Sequence, residues 1–183
     1  MEIKKGFFNF FIVIIFLSLL SGSLDAFPSP QGMEKNATLI NEACKKSKDF
    51  DLCLSILKGY SGGAKTNIDD LAIFILKYAI GRAKETINLV NKLETNTTDK
   101  VLKVCFEGCA VDYERFIDHC YEAIDAIKKF EYPDAETIID WALETESSCE
   151  DCFSEFQPPH KSPITNVNNF NARILLIAGY MLP

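Results

Sequence analysis

The chain has few of the residue types that most often catalyse reactions or hold metals. Among 183 residues it has two histidines, His119 and His160, and one tryptophan. No serine or cysteine has a plausible catalytic base beside it in the sequence, which argues against an enzyme. The formal charge is −7, and no stripe rich in lysine and arginine runs through the chain. Nucleic-acid binding usually requires such a stripe, so this class of function is not expected.

Long hydrophobic runs are absent except at the N-terminus. There, two lysines precede an apolar run from Phe7 to Leu20, and small residues follow. This pattern predicts a signal peptide over residues 1–26, cleaved after Ser23 or after Ala26. An uncleaved anchor is the less favoured alternative, because a spanning helix needs about 20 apolar residues. The C-terminal "ARILLIAGYML" is also too short to span, so we expect a buried last helix, a secreted chain and no membrane contact after cleavage.

Seven cysteines include two close pairs, in "VCFEGC" and "SSCEDCF". Such pairs could bind a metal ion, carry out thiol chemistry or form disulfides. Secretion favours disulfides, because cysteines in oxidising compartments pair. A zinc site would need all four of these cysteines and has no histidine nearby. A C-x2-C redox motif would follow a strand, and none precedes this one. We therefore expect disulfides, no metal and no cofactor.

Strand-type alternation is also missing, and three- and four-residue steps replace it. Helices are predicted from Asn67, which can cap the first of them, to Leu93, from about Asp99 to Phe130, from about Pro133 to Cys149, and from Asn166 or Asn168 to the end. Four long helices with short polar turns predict an all-α, antiparallel four-helix bundle over residues 64–183. The expected inward residues are Ile68, Leu71, Ala72, Ile75, Ala79, Ala83, Ile87, Val90, Val101, Cys105, Cys109, Tyr113, Phe116, Cys120, Ile124, Ile127, Ile138, Ala142, Leu143, Phe170, Ile174, Ile177, Ala178 and Met181.

A smaller unit precedes the bundle. Residues 27–63 read as two short helices joined by a turn that Cys44 and Cys53 flank, and Gly62-Gly63 marks a break after them. The two cysteines are nine residues apart and would close a small loop. We expect a helical hairpin that is tied by its own bridge.

The remaining cysteines can be placed by register. If the second and third bundle helices are antiparallel neighbours, a Cys109–Cys149 bridge would set Cys105 opposite Cys152. Two bridges are then compatible with one register, provided that the third helix continues or turns tightly after Cys149. Cys120 has no partner in this register, so we expect it to be a buried free thiol.

Several polar residues are candidates for modification or binding. Asn36 and Asn96 each begin an N-glycosylation sequon, and Asn96 lies in a polar turn. Carboxylates such as Asp112 and Asp118 recur along the second long helix. We interpret them first as a solvated face and second as part of an interface.

These features together resemble the plant invertase and pectin methylesterase inhibitors over nearly the whole mature chain. The resemblance is carried by "CKKSKDFDLC", "GCAVDYERF", "CEDCF" and "SPITNVNNF", in this order and spacing, after a signal peptide. It implies a four-helix bundle with Cys44–Cys53 and Cys109–Cys149 bridges, and a non-catalytic inhibitor, secreted to the cell wall, that occludes an enzyme cleft. Cys105, Cys120 and Cys152 exceed the usual pattern of the family, so the Cys105–Cys152 bridge rests on the register alone.

The family divides by target enzyme. Invertase inhibitors resemble one another in a Pro-Lys-Phe tripeptide between the second and third bundle helices, where this chain has Pro133-Asp134-Ala135. We therefore expect pectin methylesterase as the partner of a monomeric inhibitor. Invertase is the alternative, and a secreted binding or allergen-like protein, or a cytokine-like ligand, comes after it. The interface candidates are Pro133, Asp134, Ala135, Asp112 and Asp118.

Overall fold

The structure is a computed structural model that describes residues 30–63 and 65–183. The predicted signal peptide lies outside these residues. Within them the chain is all α-helical, as predicted, and contains no strand. The helices are α1 (Pro30–Lys46), α2 (Phe50–Leu57), α3 (Ile68–Asn96), α4 (Lys100–Lys128), α5 (Tyr132–Glu155) and α6 (Thr165–Gly179).

Helices α3 to α6 form the four-helix bundle. Helix α4 packs between α3 and α5, and α6 closes the bundle against α3 and α5. The core contains most of the predicted stripe, because residues three and four apart share a helix face. Tyr113, Phe116 and Phe153 are among its largest fully buried side chains.

The first two bundle helices begin where capping residues permit. Asn67 accepts a hydrogen bond from the backbone of Asp70, and the Asp70 side chain accepts one from the backbone of Asn67. This reciprocal pair satisfies two amides that the helix leaves free. Asp99 caps α4 by accepting from the backbone nitrogens of Val101 and Leu102. The expectation that Asn67 caps its helix is confirmed.

The last two helices differ from the predicted bounds. Helix α5 continues past Cys149 to Glu155, because no proline or glycine interrupts it before Pro158. Helix α6 begins at Thr165 without a side-chain cap, so neither Asn166 nor Asn168 opens it. Asn168 is instead buried inside the bundle.

The inward face of α5 is also rotated from the prediction. Ile139 is buried, whereas Ile138 and Leu143 are only partly buried and line surface grooves. Thr145 and Glu146 are buried although they are polar, so apolar residues alone do not mark the inward face of this helix.

Helices α1 and α2 form the expected hairpin, joined by a Cys44–Cys53 disulfide. They pack against α3, and α2 also contacts α6. Ile56 and Leu57 of α2 are buried in the common core, and Asp49 pairs with Arg173 of α6. The hairpin therefore covers one side of the bundle rather than standing apart from it.

Candidate functional site

Two disulfides join α4 to α5 near one end of the bundle. The pairs are Cys105–Cys152 and Cys109–Cys149, with Cα–Cα separations of 5.6 and 4.6 Å. These are the pairs that the register argument predicts, and the extension of α5 to Glu155 is what places Cys152 on the helix. Cys120 is free and buried. Burial raises its pKa to about 12, so the thiol is unreactive when folded.

A polar network lies inside the bundle and joins all four of its helices. The Tyr113 hydroxyl of α4 donates to Oδ1 of Asn168 over 2.8 Å and accepts from Nδ2 of Asn171 over 2.9 Å. Asn171 also donates to Thr86 of α3, and Asn168 donates to Glu150 of α5 over 2.7 Å. Burial raises the pKa of Tyr113 well above its usual value. Oδ1 of Asn171 has no partner, but the other hydrogen bonds of the network link the four helices at defined positions. Buried hydrogen-bonded groups of this kind favour one arrangement of the helices.

Two further carboxyl groups are buried beneath the outer surface of α4 and α5. Asp112 and Glu146 are each only 7% exposed. Burial raises the pKa of both groups, and the nearby Glu150 and Asp151 carboxylates raise that of Glu146 further, to about 7. The interpretation of Asp112 as part of a solvated face is therefore wrong, because its carboxylate points between the two helices rather than into solvent.

The outward side of α4 and α5, which we call the α4–α5 face, carries two grooves. The first has a volume of about 650 Å³ and lies beside the two disulfides. Its lining is acidic at several positions and includes no lysine or arginine. The carboxylates of its lining are Asp112, Glu144, Asp151 and Glu155.

The second groove lies near the turn between α4 and α5 and has a volume of about 450 Å³. Trp141 forms part of its wall and is 47% exposed, with the His119 ring 6.0 Å away between centroids. Lys129 is the one cation in its lining. Its carboxylates are Glu122, Asp125, Glu131 and Asp134. The face as a whole is therefore acidic, with an exposed aromatic side chain towards one end.

The turn between α4 and α5 presents a second exposed ring. Phe130 is 69% exposed and has a positive φ of 63°. Its neighbour Tyr132 is held in place by a 3.1 Å hydrogen bond from its hydroxyl to Asp69 of α3. The turn is thus anchored to the bundle while the Phe130 ring projects from it.

The predicted interface residues divide into two sets. Pro133, Asp134 and Asp118 are exposed, and Asp134 lines the second groove. Ala135 is fully buried, so its side chain cannot contact a partner, and Asp112 contributes only the floor of the first groove. The structure therefore does not gather the five residues into one site, because Asp112 and Asp134 line different grooves and Ala135 faces the core.

The two sequons differ in their surroundings. Asn96 is exposed at the end of α3, far along the bundle from the α4–α5 turn. The Asn36 side chain is half-buried, and its Nδ2 donates to the carbonyl oxygens of Gly62 and Gly63. A glycan at Asn36 would have to displace these contacts, since the sugar attaches to that nitrogen.

Sequence reasoning missed Phe130 and Trp141. Phe130 was the last residue of a predicted helix, and Trp141 lay beside inward residues of the next one. The break at Tyr132-Pro133 was the available signal for the turn, and no glycine marked the left-handed position before it.

Residues 30–63 and 65–183 show neither a metal-ligand cluster nor a membrane-spanning helix. This part of the chain has no group of three or more His, Cys, Asp or Glu side chains arranged to hold a metal ion. None of its helices is both long and apolar enough to cross a bilayer. The α4–α5 face, with its two grooves and the exposed Trp141, is the candidate site described above.

Known proteins resemble the chain in sequence. The "Pectinesterase inhibitor" of Actinidia deliciosa is 29% identical over 147 residues, which cover 80% of this chain and 76% of that protein. The "Cell wall / vacuolar inhibitor of fructosidase 1" of Arabidopsis thaliana is 30% identical over 98 residues, which cover 53% of this chain and 47% of that protein.

Solved structures share the fold. A mutant form of a pectin methylesterase inhibitor from Arabidopsis matches with a TM-score of 0.62 at 22% identity, over 76% of this chain and 94% of that one. A second Arabidopsis thaliana pectin methylesterase inhibitor matches with a TM-score of 0.57 at 21% identity, over 80% and 97%. The model of the family "Plant invertase/pectin methylesterase inhibitor" matches residues 38–176. The chain therefore belongs to this family, whose members are inhibitor proteins rather than catalysts.

Proposed function

We propose that the protein is a secreted inhibitor of pectin methylesterase and that it covers the enzyme's cleft with the α4–α5 face. The observation that carries this proposal is the acidity of both grooves on that face. Pectin is a polymer of uronic acids, and its de-esterification leaves carboxylates. A cleft that accepts such a polymer must accommodate negative charge, so an acidic helical surface can occupy the same space.

The same acidity disfavours a glycosidase cleft. Glycoside hydrolases usually work with a pair of carboxylic acids at the scissile bond. Asp134 and Glu131 at the α4–α5 turn would place further carboxylates near such a pair, and like charges repel strongly when they are desolvated. The position of Asp134 on the exposed surface therefore favours the esterase over an invertase.

Rigidity of the face supports an inhibitory role. Two disulfides fix α4 against α5, and the network around Tyr113 and Asn168 fixes both helices to α6. A surface that is already ordered loses little conformational entropy when it binds. Binding by shape also requires no catalytic group on the inhibitor.

A second candidate, inhibition of invertase, is favoured by one observation. The α4–α5 turn does offer a cation and an exposed ring, contributed by Lys129 and Phe130 one turn before Pro133. These two residues lie just before Pro133-Asp134-Ala135, the tripeptide that differs from the invertase inhibitors. Invertase inhibition is therefore the outcome to be excluded by experiment.

The deciding experiment titrates a plant pectin methylesterase and a cell-wall invertase with one preparation of the protein at mildly acidic pH. We expect the esterase to lose activity to a stoichiometric end point and the invertase to be inhibited much less. Asp134→Lys restores a cation without disturbing the buried Ala135 and should shift inhibition towards invertase. Strong inhibition of invertase by the unmodified protein, with the esterase untouched, would establish the second candidate instead.

A further inference from the structure

Phe130 occupies a backbone position that usually belongs to glycine. Helix α4 ends at Lys128, and the backbone nitrogen of Phe130 bonds to the carbonyl oxygen of Ile127 while that of Glu131 bonds to Ala126, each over 3.0 Å. This pair of hydrogen bonds defines a Schellman motif, whose residue after the cap adopts the left-handed conformation. Phe130 is that residue, with φ of 63°.

A bulky side chain at this position destabilises the free protein in two ways. A Cβ atom in the left-handed region is crowded by the backbone, which glycine avoids and asparagine tolerates. The ring is also 69% exposed, so little apolar burial offsets that crowding. Its one aromatic neighbour is the edge of Tyr132, with the ring centroids 6.3 Å apart.

Phe130 is strained and exposed in the free protein, so we expect its side chain to contact a partner in the bound protein. Strained residues persist where the surrounding structure holds them, and they concentrate at functional sites. Large aromatic side chains that enter a partner's pocket dominate the energy of many protein interfaces. The Schellman motif and the Tyr132–Asp69 hydrogen bond hold the backbone of the turn, and the Phe130 ring is exposed on it.

We propose that Phe130 is the anchor by which the α4–α5 face holds its enzyme, and that its ring enters an apolar socket beside the substrate cleft of the pectin methylesterase. The inference rests on the proposed function and adds to it the residue that carries most of the binding energy. Glu131 follows Phe130 directly in the chain, and Glu131 and Asp134 both line the second groove. The socket should therefore have basic side chains at its rim, which would pair with these carboxylates and steer the encounter.

The second groove continues the same contact. Trp141 lines it and is about half exposed, so an enzyme segment seated on Phe130 would next meet the indole ring. Phe130 lies on the turn next to this groove, between the groove residues Lys129 and Glu131 in sequence. Exposed aromatic side chains are typical of the centre of an interface, and charged residues form its rim. The partner's contacting segment is thus expected to be apolar in its middle and basic at its edges.

The test compares Phe130→Gly with the unmodified protein in thermal unfolding and in esterase inhibition. Glycine relieves the left-handed strain and removes the ring. We expect the melting temperature to stay the same or to rise by roughly 2–4 °C, while the inhibition constant rises by about thirty-fold or more. Phe130→Leu keeps an apolar side chain and the strain, so it should retain more inhibition than the glycine variant. Tyr78→Ala removes an exposed ring from α3, away from both grooves, and should inhibit like the unmodified protein.

The outcomes separate this inference from the proposed function. If the unmodified protein inhibits the esterase and Phe130→Gly does so within about twofold, the anchor is wrong and the proposed function stands. A clear fall in the melting temperature of Phe130→Gly would also overturn the inference, because the ring would then stabilise the fold. If the unmodified protein does not inhibit the esterase, the proposed function is refuted, and so is the socket on that enzyme. If Phe130→Gly weakens inhibition of invertase but not of the esterase, Phe130 binds invertase and the proposed esterase anchor is wrong.

Discussion

The Tyr113 hydroxyl donates a 2.8 Å hydrogen bond to Asn168 across the core of the bundle, although the two residues are 55 positions apart. The same hydroxyl accepts from Asn171, so one oxygen atom connects two turns of α6 to the middle of α4. Both asparagines are buried, so solvent cannot take the place of the Tyr113 hydroxyl as their hydrogen-bond partner.

Removing that hydroxyl should destabilise the protein. Tyr113→Phe leaves Oδ1 of Asn168 and one N–H of Asn171 without their partner, and an unsatisfied buried polar group typically costs about 1–3 kcal/mol. We expect this loss in the free energy of unfolding from chemical denaturation. Tyr121→Phe, in which an exposed hydroxyl of the same helix is removed, is the control and should change little. Equal stability of the two variants would mean that the network does not contribute to folding.

The disulfides can be tested by peptide mapping without reduction. We expect Cys44–Cys53, Cys105–Cys152 and Cys109–Cys149 as linked peptides and Cys120 as the single alkylated cysteine. Because Cys120 is buried, alkylation should require denaturant. A Cys105–Cys109 or Cys120–Cys152 link would contradict the register of α4 against α5.

Stability should decline from acidic to neutral pH because of Glu146. Its pKa is raised from 4.5 to about 7, so between these values the folded protein holds a proton that the unfolded chain has released. The folded state is therefore most stable at the acidic end of this range. Its free energy of unfolding falls by up to about 3 kcal/mol as the pH rises through the range. The groups that face Glu146 are Glu150 and Asp151 of its own helix and Tyr113 of α4.

The matched variants are Glu146→Gln and Glu144→Gln, since Glu144 is exposed two residues away on the same helix. Glu146→Gln should reduce the difference in melting temperature between pH 5 and pH 8. At pH 8 this variant should be more stable than the unmodified protein. Asp112, whose pKa burial also raises, acts in the same direction and would leave a residual slope. If Glu144→Gln removes as much of the pH dependence as Glu146→Gln, the buried carboxyl is not its source.

Much of the fold follows from the sequence because the signals are local. The apolar period of α3 and α4, the cap at Asn67 and the break at Tyr132-Pro133 each depend on neighbouring residues. The Cys105–Cys152 pair follows from one further step, the antiparallel register. These features are set by helix geometry, so they can be read without knowledge of the tertiary contacts.

The missed features depend on distant partners. Asn168 and Asn171 are polar residues whose burial makes sense only once Tyr113, Thr86 and Glu150 surround them. In the same way, Ala135 is buried at the start of α5 by packing that the linear tripeptide cannot reveal. The left-handed conformation of Phe130 was hidden because glycine, the usual residue there, was absent.

The central claim is that the acidic α4–α5 face binds a pectin methylesterase, and paired charge-reversal variants test it most directly. The inhibition constant against the esterase is measured at low salt for the unmodified protein, for Asp134→Lys/Glu144→Lys on the α4–α5 face, and for Glu42→Lys/Glu85→Lys on exposed positions of α1 and α3. Both variants change the net charge equally, so only the location of the change differs. We predict that the variant on the face weakens inhibition by at least about tenfold while the control stays within about twofold. Equal weakening by both variants, or none by the variant on the face, would contradict the account.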